Sequence, residues 1–188
     1  MSIDEKKPVK PTSPVNKDIL LFFLKLILLV IIWEYSYYHI LKPVRIPDRA
    51  LTNIITSAVT TCFNIFSGGA KFTWQECPGM AAARVLRDGN PVLYIVDICN
   101  GLSLIVIYIG FIILLPSPIK RKIVFCVIGT LVLIMANVIR CSLLYWIYRK
   151  RADLFDFSHH YVFSILMYLL IFFGWYLFTK KNQQHEVL

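Results

Sequence analysis

Residues 123–148 read IVFCVIGTLVLIMANVIRCSLLYWIY, an apolar run interrupted by one charged residue, Arg140. A helix needs about 20 such residues to cross the hydrocarbon core of a bilayer. A charged side chain is costly at that depth, and it usually serves a function beside a partner or a water-filled cavity. The stretch therefore predicts a membrane-spanning helix with a functional arginine. The alternative is an arginine that extends to the membrane interface.

The rest of the chain repeats this pattern. The hydrophobic content is 57%, above that of ordinary soluble domains. Further apolar runs of near-spanning length lie at about 18–41, 99–115 and 159–178. We therefore predict an all-α, polytopic membrane bundle of about four spans, forming a single domain over residues 18–178. Residues 51–67 are apolar at helical spacing with a Ser/Thr/Asn face, which predicts an interfacial helix or a fifth span.

Charge sets the expected orientation. The polar tail 1–17 carries four lysines, the turn at 116–122 carries three basic residues, and the tail 179–188 begins after the last span with two lysines. Basic loops stay in the cytoplasm, so we expect both tails there and loop 42–98 outside, in a multi-pass plasma (inner) membrane protein. The basic cluster at 149–151 opposes this arrangement. We expect the first tail to be disordered.

Loop 42–98 contains local signals of its own. The sequence DGNP at 88–91 predicts a turn, and VLYIV at 92–96 predicts a short strand or an extended segment. Cys62 and Cys77 could form a disulfide if the loop faces an oxidising compartment, but nothing in the sequence fixes the distance between them.

The net charge of +9 is spread over loops and tails. This distribution favours contact with anionic membrane lipid over a nucleic-acid surface. No basic-aromatic module of a nucleic-acid-binding type is present, so nucleic acid is not an expected partner. The cysteines and histidines show no zinc-site spacing, so no zinc site is expected.

Cys99, Arg140 and His159 each lie near one end of a different predicted span. At about 1.5 Å per residue, they lie roughly 26, 27 and 31 Å from the opposite, basic ends of these spans. We therefore expect a thiol, a guanidinium and an imidazole to meet at one membrane face.

Each of these residues also has an unreactive interpretation. Cys99 follows Asp97, a plausible helix N-cap, and the helix dipole would favour its thiolate; otherwise it is a buried, inert cysteine. Asn137 shares a helix face with Arg140 and could orient it. Either His159 or His160 could transfer protons, while the other would contact interfacial water.

Taken in chain order, the motifs around these residues resemble those of a known protein family. CNGLS at 99–103, NVIR at 137–140 and DFSH at 156–159 follow the order and spacing of the exosortase/archaeosortase family. The resemblance covers about residues 92–178 and is nearest to compact Bacteroidetes-type members. Its place in the motif favours His159 over His160, and Asn100 and Asn137 become possible supporting residues.

The resemblance implies a membrane-embedded cysteine protease and transpeptidase. Such an enzyme cleaves C-terminal sorting signals of exported proteins, which consist of a short motif, a transmembrane helix and a basic tail. The implied catalytic residues are Cys99, Arg140 and His159, at the extracytoplasmic face, and the implied chemistry needs no metal and no organic cofactor. The alternative is a non-enzymatic membrane protein, either a small transporter subunit or an assembly factor, that binds an anion through Arg140. The substrate motif, the acceptor and the oligomeric state stay open.

Overall fold

The computed structural model of the chain describes residues 15–183. The helices, in chain order, are α1 Val15–Ser36, α2 Asp48–Phe66, α3 Leu102–Leu114, α4 Ile119–Lys150 and α5 Phe163–Gln183, and the strands are β1 Phe72–Glu76, β2 Ala82–Arg87 and β3 Asn90–Val96. Short helical turns extend the end of α1 to Val44 and connect α4 to α5. Most of the two predicted tails, 1–17 and 179–188, lies outside the described residues.

Within the described residues, three helical segments are long and apolar enough to cross a membrane: Ile19–Val44, Ile119–Lys150 and Ala152–Lys180. They coincide with the predicted spans at 18–41, 123–148 and 159–178. Large apolar side chains cover their outer surfaces, for example Leu20, Ile128 and Ile165, and all three are more than half exposed. Such surfaces would be unfavourable in water and suit lipid. The chain is therefore a predominantly helical membrane protein.

The predicted span at 99–115 is shorter in the structure. Its helix, α3, begins only at Leu102 and has 13 residues, or about 20 Å at the usual rise. That length is below the ~30 Å hydrocarbon core, so α3 by itself does not form a full span. It packs against α1, α4 and α5.

Loop 42–98 is folded. The strands form an antiparallel sheet of order β1-β2-β3. The predicted turn and strand are both present: Asp88 and Gly89, with positive φ of 50° and 84°, connect β2 to β3. This conformation suits the tight turn of a hairpin, and Asp-Gly is a favoured pair for it.

Helix α2 forms the helix predicted at 51–67 and does not support the alternative of a fifth span. Its apolar face, which includes Ile55, Val59 and Phe63, packs against the inner face of the sheet, and the segment is not among the candidate spans. The neighbouring Thr56 and Thr60 are also buried. Their hydroxyls remain satisfied, because each donates a hydrogen bond to the carbonyl four residues earlier. Polar side chains that satisfy themselves in this way can pack inside a folded unit.

Helix α4 joins the two halves of the molecule. Its first part packs with α3 and α5 in an apolar core around Tyr108, Leu133 and Ile171. Its second part, at Val138 and Tyr145, belongs to the core between α2 and the sheet. At 32 residues, or about 48 Å, it exceeds the thickness of a bilayer core. The basic cluster at 149–151, which opposed the charge-based orientation, lies at its far end.

Candidate active site

Cys99, Arg140 and His159 come together where the helices meet the α2–sheet unit. The Cys99 Sγ lies 3.9 Å from the His159 Nε2. The Arg140 Nη2 lies 3.3 Å from the same nitrogen. The three residues come from the segment before α3, from α4 and from the turn before α5. One imidazole nitrogen therefore faces both a thiol and a fixed positive charge.

The local structure around Cys99 differs from the prediction. Cys99 ends a short 3₁₀ turn, Asp97–Cys99, that directly follows β3, and α3 begins three residues later. Asp97 does not cap this helix. Its carboxylate instead accepts hydrogen bonds from Arg45, at 2.7 and 3.0 Å, and from Thr52, at 2.8 Å. A bidentate Arg–carboxylate pair is a strong and geometrically specific contact.

The side chain of Asn100 instead satisfies the first N–H of α3. Its Oδ1 accepts a hydrogen bond from the Leu102 N–H at 2.9 Å. Its Nδ2 donates to the Asp48 carboxylate at 2.8 Å, and the side chain is 1% exposed. Gly101, with φ of 81°, makes the left-handed turn that reverses the chain into α3. The backbone on the C-terminal side of Cys99 is therefore fixed to α2.

Asn137 holds the other side of the site. Its Nδ2 donates to the Cys99 carbonyl oxygen at 3.0 Å, and its Oδ1 accepts from the Arg140 Nη1 at 3.5 Å. The residue is 1% exposed. The predicted contact with Arg140 is present, and the contact with the Cys99 backbone is additional. One buried amide thus connects the Cys99 segment with the guanidinium.

The two histidines are not equivalent. His159 is partly buried and its ring stacks on Phe155, with ring planes 6° apart and centroids at 5.8 Å. His160 is exposed and contacts His159 edge-on, at a centroid distance of 4.9 Å. Of the two histidines, only His159 has a hydrogen-bonding contact with the Cys99 thiol. The geometry therefore favours His159 as the partner of the thiol.

Several residues of the site were not predicted from the sequence. Phe155 supports the imidazole, Arg45 and Thr52 bind Asp97 before Cys99, and Asp48 binds Asn100 after it. No spacing rule connects Arg45 with Asp97, because they are far apart in the sequence. The only available signal was that two charged residues, Arg45 and Asp48, lie in the proline-containing segment that follows α1.

Electrostatics stabilise this supporting cluster. Burial would raise the pKa of Asp97, but the hydrogen bonds from Arg45 and Thr52 outweigh it and hold the pKa below the ordinary range. The pKa of Glu76 is also lowered, chiefly by its hydrogen bond from Arg49. Both carboxylates therefore stay ionised at neutral pH.

Two cavities flank the site. An apolar groove of about 400 Å³ lies between α4 and α5, with Arg140 among its lining residues, which include Ile139, Leu166 and Phe173. A larger cavity of about 580 Å³ lies between the end of α1 and the start of α3, with Glu34, Lys42 and Asp97 in its wall. The Arg140 Nε is buried without a hydrogen-bond partner among the described residues. The described part of the protein therefore leaves this donor unsatisfied.

The remaining cysteines contribute no bond to the site. All five thiols are free, so the disulfide considered between Cys62 and Cys77 is not formed. Within residues 15–183, no group of three or more His, Cys, Asp or Glu side chains could hold a metal ion.

These features define a class of protein: a polytopic membrane protein with a Cys–His–Arg cluster beside an apolar groove. The model of the transmembrane exosortase family matches residues 16–180. The chain belongs to the transmembrane exosortase family. No curated protein and no solved structure matches it significantly.

Proposed function

We propose that the chain is a membrane-embedded cysteine protease and transpeptidase that cleaves C-terminal sorting signals of exported proteins. The observation that carries this proposal is the placement of the His159 Nε2 between the Cys99 thiol, at 3.9 Å, and the Arg140 guanidinium, at 3.3 Å. A nucleophile, a proton carrier and a fixed charge within reach of one another are the parts of an acyl-transfer site.

The first half-reaction forms a thioester. His159 accepts the Cys99 thiol proton, and the thiolate attacks the carbonyl carbon of the scissile peptide bond. The carbonyl oxygen then carries negative charge, and Arg140 stabilises that charge with the donor left free in the buried site. When the C–N bond breaks, His159 returns the proton to the leaving amine. The N-terminal part of the substrate stays on Cys99 as a thioester.

The second half-reaction releases the product. Water or an acceptor amine attacks the thioester carbonyl while His159 removes its proton. The C–S bond then breaks, and Cys99 recovers its proton from His159. Hydrolysis gives a free carboxylate, and an amine acceptor gives a new amide.

The substrate is expected to be bound within the membrane. The groove between α4 and α5 is apolar and has Arg140 in its wall. An apolar helix that follows the cleavage motif could pack there laterally, helix against helix. The scissile bond would then be at the membrane surface near Cys99. We further propose that this surface is extracytoplasmic in the plasma membrane and that both termini are cytoplasmic.

The test is cleavage of a co-expressed exported protein whose C-terminal tail carries a short motif, an apolar helix and basic residues. We expect wild-type protein to shorten this substrate and Cys99→Ala to leave it intact, with both enzymes at similar abundance in the membrane. Cys141→Ala is the matched control, since Cys141 is a buried thiol that makes no hydrogen bond with His159 among the described residues. Cleavage that persists in Cys99→Ala would refute the proposal and favour an anion-binding role for Arg140.

A further inference from the structure

The sheet has two outer strands whose free edges differ. In an antiparallel sheet, alternate residues of an outer strand point their N–H and C=O groups away from the neighbouring strand. On β1 this edge is closed at Phe72 by the Asn64 side chain. Asn64 Nδ2 donates to the Phe72 carbonyl at 2.9 Å, and the Phe72 N–H donates to Asn64 Oδ1 at 2.8 Å.

The edge of β3 has no such cover. The Asp97 N–H donates to the Ala81 carbonyl at 2.9 Å, in register with the pairing of Ile95 with Ala83. By alternation, Tyr94 and Val96 point their backbone groups to the free edge. In the described part of the chain, neither residue makes a backbone hydrogen bond on that side. Their side chains are also exposed, at 48% and 36%.

This open edge leads directly to the candidate nucleophile. Strand β3 ends at Val96, and the next three residues form the turn that ends at Cys99. Ile98, between them, is 83% exposed, so this path is not covered. The 3₁₀ turn Asp97–Cys99 rises about 6 Å at the usual ~2.0 Å per residue, which corresponds to about two residues of an extended peptide. A strand added to β3 would therefore reach the thiol.

We propose that the free edge of β3 binds the extended segment that precedes the apolar helix of the substrate, by strand addition. This inference rests on the proposed protease function and adds how the substrate is held. Its occupant is an extended peptide continuous with a membrane helix, because the edge leads to Cys99 and the apolar groove with Arg140 lies beside the same site.

The membrane determines the direction of the added strand. The substrate runs from its exported part through the recognition segment into a membrane helix. Strand β3 likewise runs through Cys99 into α3, so the added strand is parallel to β3. In a parallel pair, one substrate residue beside Ile95 would donate to the Tyr94 carbonyl and accept from the Val96 N–H. The scissile carbonyl would follow about three residues later.

Val96→Pro tests the backbone contact. It removes the Val96 N–H but no hydrogen bond to β2, and the φ of Val96, −86°, is close to that of proline. Trp74→Pro is the matched control, because the Trp74 N–H faces the free edge of β1 by the same alternation. We expect Val96→Pro to slow cleavage at least about tenfold. Trp74→Pro should cleave at the wild-type rate per folded molecule, measured with thermal unfolding in detergent. Equal cleavage by wild type and folded Val96→Pro would overturn the inference.

Crosslinking provides a second measurement that does not depend on turnover. A photo-crosslinking amino acid is placed at position 94 or position 74 in the Cys99→Ala variant, which would retain uncleaved substrate. Mass spectrometry of crosslinks formed in cells should find, at position 94 alone, peptides immediately N-terminal to an apolar C-terminal helix. A crosslink from position 94 to another copy of this chain would overturn the inference in favour of edge-to-edge pairing. The absence of substrate crosslinks there would also overturn it.

The two proposals fail in distinguishable ways. If the wild type cleaves, Cys99→Ala does not, and Val96→Pro cleaves normally, the protease function stands and the docking edge is wrong. If Cys99→Ala still cleaves, the protease assignment fails whatever the crosslinks show.

Discussion

The side-chain amide of Asn137 donates a hydrogen bond to the carbonyl oxygen of Cys99 over 3.0 Å. The same amide accepts one from Arg140 through its oxygen. Because Asn137 is fully buried in α4, it fixes the position of the Cys99 segment relative to the guanidinium. Asn137 is therefore a positioning residue in the proposed mechanism.

Asn137→Ala should lower tail cleavage about 10- to 100-fold, since a displacement of about 1 Å at a reacting centre has effects of that size. The measurement is the cleavage rate per folded enzyme, with a co-expressed tailed substrate. Asn64→Ala is the control, because it also removes two amide hydrogen bonds but at the edge of β1. If both variants lose only stability, Asn137 has no positioning role.

His159→Ala should abolish cleavage, and His160→Ala should retain most of it. The reason is that His159 faces the Cys99 thiol, while His160 is exposed. Product formation over time, with both proteins quantified in the membrane fraction, measures the difference. The reverse pattern would transfer the proton-carrier role to His160.

Arg140→Lys should reduce cleavage by about 10²–10³-fold, the usual cost of losing one oxyanion donor. A guanidinium contacts both His159 and Asn137 and keeps Nε as a further donor, whereas an ammonium cannot reproduce this fork. Arg149→Lys, a change of the same kind on the same helix, should leave cleavage intact. Full activity in Arg140→Lys would show that positive charge alone is sufficient.

Acid should destabilise the unit formed by α2 and the sheet. The folded-state pKa of Asp97 is lowered, so its contribution is complete above the unfolded value of about 4 and is lost as the pH falls below it. Removing the carboxylate charge leaves Arg45 without its closest partner. We therefore expect Asp97→Asn to cost about 3 kcal/mol at neutral pH.

Thermal unfolding of the detergent-solubilised protein between pH 3 and pH 7 measures this effect, because this range includes the pKa of a free aspartate, ~4. Wild type should lose stability toward the acid end, and Asp97→Asn should show a smaller loss over the same range. Parallel curves for the two proteins would show that Asp97 is not a source of the pH dependence.

Many features of this fold follow from local sequence. The helices around 18–41, 123–148 and 159–178 could be predicted because a long apolar run has few alternatives to a lipid-facing helix. The Asp88-Gly89 turn and the strand at 92–96 could be predicted from local chemistry. The sheet as a whole could not, because β1 and β2 carry no clear alternating pattern.

The residues of the candidate site also fall into two groups, those that could be predicted from the sequence and those that could not. Cys99, Arg140 and His159 could be recognised as reactive groups at similar predicted depths on separate predicted spans. Asn137 could be recognised by its helical spacing from Arg140. The roles of Arg45 and Asp48 were not visible, because their partners, Asp97 and Asn100, are distant in the sequence.

The sequence by itself determined that this chain lies in a membrane and which side chains could react. Hydropathy and charge are properties of single segments, so they can be recognised without knowing the neighbours. Only the tertiary structure decided that His159 rather than His160 faces the thiol, and that Asp97 binds Arg45 instead of capping α3. These outcomes depend on which segments pack together, and that is decided by the burial of surfaces far apart along the chain.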